Sequence, residues 1–280
     1  AGFLEQEGVI IENDYNKYNI SLKATHRQSK NLKFGFNLST AFTESNGVAN
    51  SGGGGDEFNG VVQYLVIANP WELQDLSENE LASNDFLSPL ALIHQGEKKL
   101  RFNRTIGSLY GEYKIAKGLQ LRSTLGTSVS GSKLQEFHTS ASRFGNRWNG
   151  RALLRQIDTY SYNFSNTLTY NKKFNNHHSL NLLGGLEFFK YNREGFFNDI
   201  TNFENQELGV NDISIGQVFK DYGSDRIISK RMSYFSRLNY RLNEKYLFTF
   251  NFRADGSDKF GENNRWGYFS GGAFAWRAHR

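Results

Sequence analysis

The 280-residue sequence predicts an all-β fold, an antiparallel up-and-down transmembrane β-barrel that is incomplete, about nine strands of a larger barrel. Three observations predict it. Nine stretches alternate apolar and polar residues with a period of two. The connections between them alternate, without exception, between a short turn and a long loop. Charged residues are segregated onto one face of each strand.

The strands come in pairs. In the first, from about 17 to 25, Tyr18, Ile20, Leu22 and Ala24 oppose Asn19, Ser21, Lys23 and Thr25; in the second, Leu32, Phe34, Phe36, Leu38 and Phe42 oppose Lys33, Gly35, Asn37 and Ser39. The turn Gln28 to Asn31 joins them. From Thr43 to Asn103 the alternation disappears, both prolines (Pro70 and Pro89) occur, and Ser51 to Gly55 is a flexible glycine tract. That region reads as a long loop with one short helix near Ser77 to Ala82, capped by Ser77 with Glu80 three residues on. The next pair, Thr105 to Ile115 and Leu119 to Val129, turns at Lys117-Gly118. A second loop, 130 to 156, precedes Thr159 to Tyr170, where Tyr160, Tyr162, Phe164, Leu168 and Tyr170 share a face. After the turn Lys173 to His177 come Leu180, Leu182, Leu186 and Phe188, then a third loop from 192 to 230.

The last three strands are contiguous. Met232, Tyr234, Leu238, Tyr240 and Leu242 line one face of the first, and after Asn243-Glu244 the apolar set restarts as Tyr246, Phe248, Phe250, Phe252 and Ala254. A loop rich in Gly, Asp and Asn leads to a third run, with Trp266, Tyr268, Phe274 and Trp276 on one side and Gly267, Gly271, Ala273 and Ala275 on the other. Strands of ten to a dozen residues match the ~9–11 that a tilted strand needs to cross a bilayer, and short periplasmic turns with long extracellular loops are the barrel pattern. On the apolar faces the one charged residue is Lys190, at the outer end of its strand, whereas the opposite faces carry Lys23, Lys33, Glu112, Arg122, Glu187, Arg237 and Arg253. The expected positions are lipid-facing or interfacial for Tyr246, Phe248, Phe250, Phe252, Trp266, Tyr268 and Trp276, with a polar lumen behind them.

Composition agrees. Gly 28, Tyr 14 and Phe 24 against Pro 2 describe a chain of strand formers, and a mean hydropathy of −0.60 is expected where lipid-facing and lumen-facing residues alternate. The absence of Cys excludes disulfide frameworks and thiol chemistry. A formal charge of +5 with no Lys/Arg cluster points away from nucleic acid. The first residues lack a basic segment followed by an apolar one, so no signal peptide is read there. The expectation is an internal piece of a longer protein, residues 1–280 forming part of a barrel domain without plug or signal peptide.

The stretch 231–277 carries linked motifs: Tyr234-Phe235-Ser236-Arg237-Leu238-Asn239-Tyr240, Lys245-Tyr246-Leu247, Arg253-Ala254-Asp255-Gly256-Ser257 with Phe260-Gly261, and Asn264-Arg265-Trp266-Gly267-Tyr268-Phe269. In this order they resemble the middle of the barrel of the SusC/RagA-type TonB-dependent outer-membrane transporters. One departure is Ser270, where that family usually has proline. The resemblance implies a bacterial outer-membrane location, a larger barrel with an N-terminal plug, and a TonB-contacting segment. It also implies a SusD-like surface lipoprotein and import of glycans or peptides, with no cofactor and no enzymatic activity.

No catalytic constellation stands out. The six histidines lack metal-ligand spacing, and His177-His178 falls in a turn. Gly126 to Lys133 misses the Gly-Lys-Ser/Thr ending of a phosphate loop, and Asp255, Asp258 and Glu262 miss the spacing of a calcium loop. Tyr15, Tyr110, Tyr191, Trp266 and Trp276 fit an interfacial aromatic girdle. Trp71 and Trp148, in long loops, are the candidate ligand platforms. A passive porin or adhesin on a similar barrel, and an extracellular carbohydrate-binding β-sandwich, are the alternatives from other classes.

Overall fold

The computed structural model describes residues 1–47, 93–94, 96–175 and 177–278. They form one antiparallel sheet of ten strands in which every strand pairs with its sequence neighbours, β1 (Gly2–Glu7), β2 (Asp14–Arg27), β3 (Leu32–Gly47), β4 (Gly96–Ala116), β5 (Leu119–His138), β6 (Arg151–Phe174), β7 (His178–Phe203), β8 (Gly216–Leu242), β9 (Tyr246–Ser257) and β10 (Trp266–Trp276). The sheet does not close on itself, so it is an incomplete barrel wall.

All four turns fall where the sequence reading puts them. Asn243 and Glu244 both adopt positive φ (52° and 53°), the geometry that lets a two-residue hairpin follow the twist of its strands, and the Lys245 amide closes the turn onto the Leu242 carbonyl at 3.0 Å. Gly118, at φ 82°, serves the β4–β5 turn, where a side chain would be strained.

Two expectations are corrected. There are ten strands, the extra one being β1, which sequence patterning misses because Phe3 and Leu4 are adjacent rather than alternating; its backbone pairs with β2 from Gly2↔Asn19 to Glu7↔Asp14. The loops 43–103, 130–156 and 192–230 are also shorter than expected. Ladder pairing continues into each of them, as far as Gly47↔Lys98 on β3–β4, His138↔Arg151 on β5–β6 and Phe203↔Gly216 on β7–β8. Backbone hydrogen bonds do not require one face to be apolar, so the strand persists where the alternation stops. Ser51 to Gly55, Pro70, Pro89, Trp71 and the helix expected near Ser77 to Ala82 lie outside the described residues.

Register turns the alternation into a band. Leu22↔Leu38, Phe164↔Leu125, Leu182↔Leu238 and Leu238↔Phe250 are direct cross-strand partners, so the apolar sets of β2 to β10 share one face. Rings pack along it: Tyr246 and Phe248 against Phe274 (6.4 and 5.0 Å between centroids), Phe252 against Tyr268 (6.5 Å), and Tyr234 stacked on Trp266 (5.8 Å). The band has much the same width on strands of 11 and of 27 residues. On the same face it ends at a polar belt that includes the Arg101–Glu44 pair (2.7 Å), Lys190 and the Arg226–Glu194 pair (3.0 Å).

Past the belt, β5 to β8 rise well beyond β9 and β10. Here the fold has a small closed core. Phe137, Ala152, Ile200, Phe203 and Val210 are buried, with Leu154, Ile213 and Ile215 packed against them and Phe137 edge-on to Phe203 at 5.3 Å. Phe137↔Ala152↔Ile200 is a row on the apolar face, and the two 3-10 turns of residues 209–215 fold back to cover it.

Candidate functional site

Two groupings on the polar face are candidates. The first gathers the motif residues. Arg253, Asp255, Gly256, Phe260, Asn264, Arg265, Trp266 and Gly267 line one cavity of ≈ 450 Å³, together with Glu187, Phe189, Arg231 and Ser233 from β7 and β8. The Arg253 Nε donates to both oxygens of Asp255 (2.7 and 2.9 Å) and its terminal nitrogen to the Ser233 hydroxyl (3.1 Å). One residue of the motif holds the other in a fixed fork. Trp266 reaches this lining from the far side: its indole lies on the apolar face over Gly256, where an added side chain would press on it at 3.0 Å. Arg231 stacks on the Phe189 ring at 4.6 Å. Gly261 stands apart from the cavity lining, its Cβ direction open. The cavity therefore offers fixed cations, carboxylates and aromatic faces together, a surface suited to a polar or zwitterionic contact.

The second grouping is at the far end of β5 to β7. Here register brings His138, Arg151 and Thr201 into one row and Glu136 and Asp199 into the next. Arg151 grips Asp199 with two bonds of 2.9 Å, Lys220 approaches the same carboxylate at 3.5 Å, and Lys98 pairs with Glu136 at 3.1 Å. His138, Glu136, Asp199 and Thr201 are all buried. Burial, with repulsion from Arg151 and Lys98 and opposed by Asp199, holds His138 down to about 4, so it is neutral near pH 7. The short helical turn Arg143–Asn146 closes over it, capped by the Ser142 hydroxyl accepting from the Gly145 amide at 3.0 Å.

Trp148 sits at this cluster, half-buried, with the Lys220 ammonium 4.4 Å and the Arg147 guanidinium 5.1 Å from its ring. Its backbone carbonyl also accepts from the Asn202 amide at 2.9 Å, tying the turn to β7. The ring therefore already carries two cations. The candidates Tyr246, Phe248, Phe250, Phe252, Trp266, Tyr268 and Trp276 fall on the apolar face, their register running Trp266↔Gly256, Tyr268↔Ala254 and Trp276↔Tyr246, whereas Tyr15, Tyr110 and Tyr191, expected in the girdle, fall on the polar face through Tyr15↔Ser45, Gly35↔Tyr110 and Ser161↔Tyr191. The charged cluster around Arg151 and Asp199 is what sequence reading missed. Its members are scattered over 98–220 with no periodic signal, and only the pairing of strands collects them.

The fold and its faces are those of an outer-membrane β-barrel wall. Comparison with known proteins narrows this. No protein-family model matches the chain. The curated "TonB-dependent receptor P3" of Formosa agariphila is 27% identical over 281 residues, covering 99% of this chain and 28% of that protein. "TonB-dependent receptor SusC" of Bacteroides thetaiotaomicron is 29% identical over 208 residues, 68% of this chain and 18% of its own length. Among solved structures, that of the RagAB peptide transporter superposes with a TM-score of 0.76 over 96% of this chain and 31% of that chain at 21% identity, which establishes a shared fold. The chain is similar to a barrel segment of the SusC/RagA-type TonB-dependent receptors of the outer membrane, and spans under a third of the length of the curated relatives it matches.

Proposed function

We propose that this chain forms part of the barrel wall of an active, TonB-dependent importer that works with a SusD-like surface lipoprotein and takes up glycans or peptides. The observation that carries the reading is the apolar band of near-constant width shared by strands of very unequal length. Sequence likeness to TonB-dependent receptors, SusC among them, supports the remainder. In this reading Tyr246, Phe248, Phe250 and Phe252 face acyl chains, Trp266, Tyr268 and Trp276 sit in the girdle, and the short turns are periplasmic. The motif cavity faces the lumen, and Trp148 stands on the path at the extracellular rim, where a ligand would meet its ring only by displacing Lys220 or Arg147.

The test uses the full-length receptor. Substrate uptake should stop when TonB is deleted and fall when the lipoprotein gene is removed; uptake indifferent to TonB would make the protein a passive porin, and no uptake of any oligosaccharide or peptide an adhesin. Cysteines introduced singly at 250 and 251 report the wall itself. Position 250 should be quenched by a lipid-confined probe and 251 reached by a water-soluble thiol reagent, and protection of 250 from both would return the chain to the β-sandwich reading.

A further inference from the structure

Lys190 of β7 and Lys230 of β8 are direct cross-strand partners on the apolar face. The Lys230 amide donates to the Asp258 carboxylate at 2.8 Å and its carbonyl accepts from the Asp258 amide at 3.2 Å, so its backbone groups point away from β7. The two lysines are therefore a non-hydrogen-bonded pair, the closer kind, with Cα atoms about 4.5 Å apart and both side chains leaving one side of the sheet. Like charges placed directly opposite destabilise a sheet, and more so where hydrocarbon begins. The next row towards the short turns is Phe188↔Met232, continued by Met232↔Gly256 and Gly256↔Trp266. The Tyr162 ring, 6.1 Å from that of Phe188 between centroids, reaches up beside Lys190, whose ammonium lies 6.0 Å from its centre. The pair thus stands at the upper margin of the apolar band. The carboxylates above it on the same face are engaged elsewhere, Glu194 by Arg226 and Asn192 at 3.0 Å each and Asp158 by Gln156 at 2.9 Å.

We propose that Lys190 and Lys230 together hold the phosphate monoester headgroup of an outer-leaflet lipid whose acyl chains lie along Tyr162, Phe188 and Met232. The inference rests on the membrane orientation proposed above. Two ammonium groups bring two positive charges to one spot, and a phosphate monoester carries nearly two negative charges at pH 7 on three acceptor oxygens. It converts the repulsion between the lysines into a pair of charge-assisted contacts. A phosphodiester, with one charge, balances half of the pair. The lipid is the source of the phosphate because the cations adjoin the hydrocarbon-facing band, where a dissolved anion would have apolar surroundings on one side. A headgroup arrives there with its acyl chains already against Phe188 and Met232, and basic side chains at a membrane surface attract anionic lipid. A barrel closes through its edge strands, here β1 and β10, so closure extends the wall sideways and leaves this face to the membrane.

Native mass spectrometry of the full-length receptor tests this, in maltoside micelles holding equal amounts of dioleoyl phosphatidic acid, phosphatidylglycerol and phosphatidylcholine. One phosphatidic acid should be retained at least about 10-fold more tightly than either other lipid. Lys190→Gln/Lys230→Gln should abolish that preference and Lys190→Arg/Lys230→Arg should keep it. Lys23→Gln/Lys114→Gln removes the same charge from the polar face and should leave the preference unchanged. Equal retention of the three lipids overturns the proposal, as does a preference that survives Lys190→Gln/Lys230→Gln or falls equally with Lys23→Gln/Lys114→Gln. Each single Gln variant should lose part of the preference, and a folded single variant that keeps all of it counts against a shared headgroup. Excess inorganic phosphate should not displace the lipid; displacement would assign the pair to a dissolved anion and also overturn the proposal. In phosphatidylcholine vesicles, Phe188→Cys should be reached by a lipid-confined probe. Its modification by a water-soluble thiol reagent would instead overturn the orientation, a failure distinct from equal lipid retention in a receptor whose position 188 faces lipid.

Discussion

The two halves of β8 make the most informative contrast in the molecule. From Met232 to Leu242 one face is Met232, Tyr234, Leu238, Tyr240 and Leu242 and the other is polar. From Gly216 to Lys230 charges stand on both faces, with Asp221 and Asp225 on one and Arg226 and Lys230 on the other, yet the ladder to β7 runs through both halves, broken only by the register shift opposite Asp199/Ile200. The strand is the same; the solvent differs. In the orientation proposed above, alternation reports two unlike environments on either side of a wall, hydrocarbon and a polar lumen, and it stops where both sides are water. Hydrogen bonding between backbones needs neither.

Stability in the two halves should then come from different sources, and variants can break or sharpen that contrast. The largest effect is expected in the upper half from Asp199→Ala, which takes a buried carboxylate away from the half-buried Arg151 guanidinium and from Lys220. A loss of about 3–5 kcal/mol is the usual result of breaking a buried pair from one side, here seen as opening of the β5–β7 rim by amide exchange while the membrane band stays protected. Loss of the band along with the rim would show the halves to be one cooperative unit. In the lower half, Phe250→Arg should cost about 2–4 kcal/mol by placing a cation in hydrocarbon and should lower the outer-membrane level in denaturant and surface-expression assays, whereas Asn251→Arg should fold almost normally. A neutral Phe250→Arg would remove the band from the membrane.

In the upper half, acid should act through His138. The His138 pKa, about 4 in the fold against an ordinary 6.5, means the unfolded rim binds the extra proton first. The stabilising contribution is complete above about pH 6.5 and is lost as pH falls towards 4, by at most about 3 kcal/mol at 1.36 kcal/mol per unit. Trp148 fluorescence followed against pH should report it, and His138→Phe should flatten the profile. The smallest effect is expected from Gln156→Arg, on the same face as the band but beyond the belt and already bonded to Asp158 at 2.9 Å; equilibrium unfolding should move by no more than about 0.5 kcal/mol. A cost near that of Phe250→Arg would mean the hydrocarbon reaches further up the wall than the belt.

By itself the sequence determined the strands from β2 to β10 within the band, the four turns between them and the side each side chain takes, because a period of two and a turn residue such as Gly118 are local properties. It also carried the motifs from Tyr234 to Phe269. It could not show β1, the upward continuation of β3 to β8, or which residues the motif Arg253-x-Asp255 gathers from two other strands. Nor could it bring His138, Arg151 and Asp199 together across separations of up to 61 positions, or show that Trp148 already carries cations. Those were decided by register, since each ladder places residues distant in sequence directly opposite one another, and no local pattern encodes the partner on the far side of a hairpin.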